Sequence, residues 1–114
     1  MSSALELIIT FKLMKLVIVT TVEEFQKEVL KLFKNANIEN FSSSDIDGYK
    51  NSSSILKASN WFSGEKYGNE SHLFFSFTED EHINVLFSLI KEFNANMETL
   101  NPIKAVVVPI EKWI

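Results

Sequence analysis

The sequence predicts an α+β fold, a ferredoxin-like βαββαβ sandwich whose four-stranded antiparallel sheet carries two helices on one face. Three observations lead there. The 114 residues are 46% hydrophobic and 23% charged, which suits one small core and not two domains. Four short apolar runs have strand character, and two longer stretches repeat apolar residues at helical spacing. Their order is β-α-β, a long polar interval, then β-α-β.

Each element has its own justification. Leu5, Leu7, Ile9 and Phe11 alternate with Glu6, Ile8, Thr10 and Lys12, so residues 1–13 read as an N-terminal extension or an extra strand ahead of a domain over 14–114. Residues 16–20 are a β-branched run and predict the first core strand. Thr20 with Glu23, or Thr21 with Glu24, offers a capping box. Phe25, Val29, Leu32, Phe33 and Ala36 then line one helix face, with Lys27, Glu28, Lys31 and Lys34 on the other. Asn35 and Asn37 suit that helix's end. Residues 38–49 predict a second strand, weakened by Ser42, Ser43 and Ser44 and closed at Gly48. Serine, asparagine and glycine are abundant over residues 50–71, so 49–71 reads as a long loop. Residues 72–77 predict a third strand, and Thr78 with Glu81 a second capping box. Ile83, Leu86, Phe87, Ile90 and Phe93 form the apolar face of a second helix. Residues 105–108 predict the last strand, with Pro109 ending its ladder or sitting at an edge. The strands are apolar on both sides while both helices cover one, so the sheet's other face predicts oligomerisation.

Composition excludes several chemistries. The chain has no cysteine, which removes disulfides, thiolate nucleophiles and cysteine zinc sites. Three glycines, Gly48, Gly64 and Gly68, cannot write a Walker A or dinucleotide fingerprint. All eleven basic residues are lysine, so no guanidinium clamp forms on phosphate, and with a net charge of -4 nucleic acid is not an expected partner. No segment has the length and apolarity of a membrane span or a signal peptide, so a cytoplasmic protein is expected, not a membrane-embedded one. An enzyme is not expected either. Asp45 and Asp47 share one strand face but have no nucleophile or base partner, and the serines lack a histidine neighbour.

Three segments resemble the PII-like signalling superfamily, which includes the nitrogen-regulatory PII proteins and the related CutA family. The stretch 14–19 followed by an acidic helix start resembles the family's first strand and helix. Residues 37–49 resemble its second strand, running into Gly48 before the T-loop. Residues 104–112, a lysine, an apolar run, Pro109 and Glu111, resemble its last core strand. The resemblance spans about 14–112. It implies a homotrimer with its sheets around a three-fold axis, a small effector such as an adenine nucleotide in clefts between subunits, and a projecting loop that docks on a membrane transporter or an enzyme. Gly48 and Lys104 are the ligand-binding positions that carry over. There are departures. The stretch 99–104 lacks the glycine-rich turn that cradles phosphate in nucleotide-binding members, and the basic residues beyond the last core strand are missing.

The remaining candidates come from the residues themselves. Trp61 and Phe62 are large rings in a polar stretch and, with Tyr67, mark a partner-binding surface. Lys50, Lys57 and Lys66 make that stretch locally basic within an acidic chain. His72 and His82, with Glu70 or Glu79, are the conceivable metal ligands, but their spacing asks for no metal. Three readings remain open: a PII-like sensor of a small anionic effector, a trimeric interaction module without ligand, or a CutA-like metal-response protein.

Overall fold

In the computed structural model, which describes residues 4–5, 14–48 and 69–114, the βαββαβ order is realised. Strand β1 (Met14–Val22) leads through a 3-10 turn (Glu23–Phe25) into α1 (Gln26–Asn35). Then come β2 (Ser42–Gly48), β3 (Asn69–Glu79), α2 (Asp80–Ala95) and β4 (Lys104–Pro109). All pairings are antiparallel and the sheet order is β2-β3-β1-β4. The expected N-terminal strand falls largely on residues outside those described, as do Lys50, Trp61, Phe62, Lys66 and Tyr67.

Alternation along the strands sorts the sheet into two faces. Val17 and Val19 of β1 stand opposite Ser76 and Phe74 of β3 and all four are buried. Over them lie Phe25, Val29, Leu32, Phe33 and Ala36 from the first helical segment, and Ile83, Leu86 and Ile90 from α2. The aromatic contacts are edge-on or tilted: Phe33 to Phe41 at 4.8 Å, Phe33 to Phe74 at 5.7 Å and Phe25 to Phe93 at 5.3 Å. The predicted apolar stripes of both helices therefore meet one sheet face.

The capping boxes do not form. β1 continues through Val22, so Thr20 and Thr21 are strand residues opposite Leu73 and His72, and the Thr21 hydroxyl donates to the Val22 carbonyl. Thr78 is likewise still in β3, opposite Lys15, and the Glu79 ahead of α2 makes no side-chain cap bond. Asp80 and Glu81 instead place negative charge on the first turn of α2, where the helix dipole favours it. Pairing with β1 carried the strand past the residues a local motif had selected.

The predicted start of β2 also moves. Asn37 takes φ 58°, and the Ile38 and Asn37 amides donate to the Phe33 and Lys34 carbonyls. This is a Schellman closure of α1, with asparagine in the left-handed position. Ile38 turns back into the core, and the strand begins only at Ser42, within the serine run. At the far side, Asn94 receives the Ile103 amide and donates to the Ile103 carbonyl, at 2.9 and 3.0 Å, fixing the entry to β4.

Candidate functional site

The sheet face away from the helices, uncovered among the described residues, is apolar. Leu16 and Ile18 of β1, Leu73, Phe75 and Phe77 of β3, and Val106 and Val108 of β4 alternate onto it. Most are half-buried by their neighbours, but Phe77 is 47% and Val108 39% exposed. Phe77 meets Phe75 and Trp113 edge-on at 6.3 and 5.9 Å. Beside them a shallow cleft of about 490 Å³ runs past Met14, Phe41 and Ser42. Such a patch is large for a small domain to leave in water.

Lys104 opens β4 opposite Thr20, half-buried, on this same face. Gly48 closes β2 opposite Asn69, at the other edge of the sheet. Three strand spacings and four residues separate their rungs, about 14 Å across and about 13 Å along. The structure does not bring the two together within one chain.

A polar cluster occupies the sheet end from which residues 49–68 depart. Asp45 and His72 are register partners, and the Asp45 carboxylate lies 2.7 Å from His72 Nδ1. The ring is 10% exposed, and its other nitrogen, Nε2, is buried with no hydrogen-bond partner. Thr21 completes that rung on the β1 side. On the next same-face rung Glu70 pairs with Asp47, and Glu23 follows the last β1 partner, Val22, so it stands beside Glu70. Hydrogen-bonding interaction with Glu23, which favours the protonated form, raises the Glu70 pKa above its ordinary 4.5. The negative charge of Glu23, slight desolvation and Asp45 push the same way, and His72 opposes them.

A second cluster lies at the opposite end. Glu79, Glu81 and His82 bring three ligand-type atoms within 4.8 Å of one another. His82 Nδ1 donates to the Ala36 carbonyl at 3.1 Å, and Nε2 lies 3.6 Å from Glu81. Of the histidine–glutamate combinations named from sequence, His72 and His82 themselves stay apart. Asp45 and Asp47 do share a face, as alternation required. Sequence spacing marks Glu23 only as a helix-capping acid. The register of β1 against β3 reveals its place in the cluster.

No family model matches the chain, and no curated protein matches it in sequence. Solved structures do. CPII, a nitrogen regulatory PII-like protein from Thiomonas intermedia bound to ADP, AMP and bicarbonate, is 9% identical. The match covers 89% of this chain and 96% of that one, with a TM-score of 0.57. The GlnK–ATP complex of B. subtilis is 12% identical over 86% of this chain and 84% of GlnK, with a TM-score of 0.58. A functionally unknown protein from Pediococcus pentosaceus is 13% identical over 90% and 97%, at 0.54. The chain shares the fold of the PII-like proteins.

Proposed function

We propose that this chain is a divergent PII-like regulatory protein and not an enzyme. In this reading it forms a homotrimer through the uncovered sheet face. It takes a small anionic effector between subunits and acts on a partner protein, a membrane transporter or an enzyme, through residues 49–71. The cytoplasmic setting expected from the sequence belongs to the same reading. The observation that carries it is the β2-β3-β1-β4 sheet with its long interval between β2 and β3, matched over most of its length to PII-like structures.

Two further features support it. An apolar second sheet face is stabilised by burial against other copies. Gly48 and Lys104, on opposite edges, can serve one ligand only across a subunit boundary. Adenine nucleotides and bicarbonate are the effectors to test, because CPII is bound to ADP, AMP and bicarbonate and GlnK to ATP. The stretch 99–104 has no glycine and the chain no arginine, so any phosphate contact falls to lysine and backbone amides. Those absences also favour a second reading, a trimeric interaction module without ligand.

The test is a thermal-shift series on the full chain with ATP, ADP, AMP and bicarbonate, repeated on Lys104→Ala. A ligand at 100 times its Kd adds about 2.7 kcal/mol of stability. A shift that Lys104→Ala removes supports the sensor. A flat panel from a chain that is still trimeric favours the ligand-free module.

A further inference from the structure

We infer that the cluster where β2 and β3 meet the 3-10 turn binds a divalent transition cation, with His72 Nε2 and the carboxylates of Glu23 and Glu70 as ligands and Asp45 orienting the imidazole.

One ring nitrogen of this cluster, His72 Nε2, is buried without a partner. A buried polar atom without a partner is uncommon and costs free energy. The Asp45 carboxylate lies 2.7 Å from Nδ1, and Nε2 on the other side of the ring is buried with no hydrogen-bond partner. A carboxylate against a histidine's far nitrogen is the arrangement that orients imidazole toward a metal. Carboxylates are at hand. Directly opposed side chains on one face stand about 5 Å apart at Cβ, and the next same-face rung is about 7 Å away, within reach of a glutamate. Glu23, Glu70 and Asp47 crowd one rung with like charges, an unfavourable arrangement that a cation reverses. Glu23 and Glu70 are exposed and free to rotate onto a metal. The donor set, one imidazole nitrogen and carboxylate oxygens, suits zinc and its neighbours better than magnesium or calcium.

Among the described residues, ligand atoms already converge within 4.8 Å only in Glu79, Glu81 and His82. That cluster has a complete explanation without metal. Its acids sit at the α2 N-terminus, where the dipole favours anions and disfavours a cation, and its histidine already faces Glu81. At His72 the unpaired nitrogen has no such explanation. Nε2 is covered in this conformation, so uptake includes rearrangement of the exposed glutamates and the adjoining turn.

The test is titration of the full chain with Zn²⁺ alone and with Co²⁺ alone, followed by calorimetry and by the visible absorption of bound Co²⁺. The expected result is one cation per chain, with a 10- to 100-fold loss of affinity in Glu23→Gln, Glu70→Gln and Asp45→Asn. His82→Asn should bind as the wild type does. The glutamates are exposed, so those variants carry the test even if His72→Gln fails to fold. Absence of binding by either metal, unchanged affinity in both glutamate variants, or loss of binding in His82→Asn would each overturn the assignment. A chain that answers nucleotides but neither metal refutes this site alone and leaves the effector reading standing.

Discussion

Replacing Phe77 by lysine tests whether the uncovered face holds subunits together. Phe77 is 47% exposed in the single chain. A phenylalanine offers on the order of 200 Å², so roughly 95 Å² remains to be buried. At about 25 cal/mol per Å² its burial against a neighbouring copy contributes about 2.4 kcal/mol per subunit, or about 7 kcal/mol in a trimer. The free subunit loses less, because about half of Phe77 is already in solvent and a lysine stem can lie over the same surface with its ammonium in water. In an assembled interface that ammonium would be desolvated without a partner. Light scattering after gel filtration should give the mass of three 13.1 kDa chains for the wild type and one for Phe77→Lys. A cooperative thermal transition in the variant would show that its subunit remains folded. A wild type with the mass of one chain, or a Phe77→Lys protein that is still trimeric, would refute the reasoning.

Other substitutions probe the supports of the fold. Asn37→Ala puts a Cβ without local hydrogen bonding at φ 58° and should cost about 1 kcal/mol in denaturant unfolding, while Asn37→Gly should be neutral or stabilising. Asn94→Ala removes both side-chain bonds to the Ile103 backbone and should cost about 2–4 kcal/mol, with faster amide exchange at the start of β4. Glu70→Gln addresses pH. The folded state holds the Glu70 proton more tightly than the unfolded one, so that contribution is present below pH 4.5 and lost as pH rises through the raised value. Melting temperatures across pH should therefore show a smaller decline above pH 4.5 in Glu70→Gln than in the wild type.

The order and type of the elements were legible because period and composition are local properties. The helical stripes of Phe25 to Ala36 and Ile83 to Phe93 and the β-branched run at 16–20 each identified an element without knowledge of its neighbours. Boundaries were less legible because they are set by pairing. Nine residues of β1 hold nine of β3 in register, and this takes Thr20, Thr21 and Thr78 out of the capping roles their spacing suggested. The serine run looked like a weakness in β2, yet Ser42, Ser43 and Ser44 form its first half. On an edge strand, exposed polar side chains are no penalty and discourage further pairing. The site was legible in part. Asp45, Glu70 and His72 were visible as single residues. Their convergence needed the β2–β3 register, and the membership of Glu23 needed that of β1 with β3 as well.

The two edges of the sheet differ in a way that bears on assembly. β2 ends the sheet with serines, Asp45 and Asp47, groups that resist pairing with another strand. β4 ends it with Val106, Val107 and Val108, and Pro109 removes a donor only at its last position. The open face between them is apolar from Leu73 to Val108. A surface so disposed favours contacts made by the face and the β4 edge, and a heterologous contact of that kind closes into a ring when its rotation allows. In the proposed trimer this separates two kinds of site. A ligand using both Gly48 and Lys104 would have to lie across a boundary, because one chain holds them at opposite edges. The His72 cluster draws every ligand from a single chain, beneath the ends of β2 and β3. An effector would then depend on assembly and a cation would not. Phe77→Lys should accordingly abolish nucleotide or bicarbonate shifts while leaving Zn²⁺ affinity unchanged, and loss of both together would contradict this division.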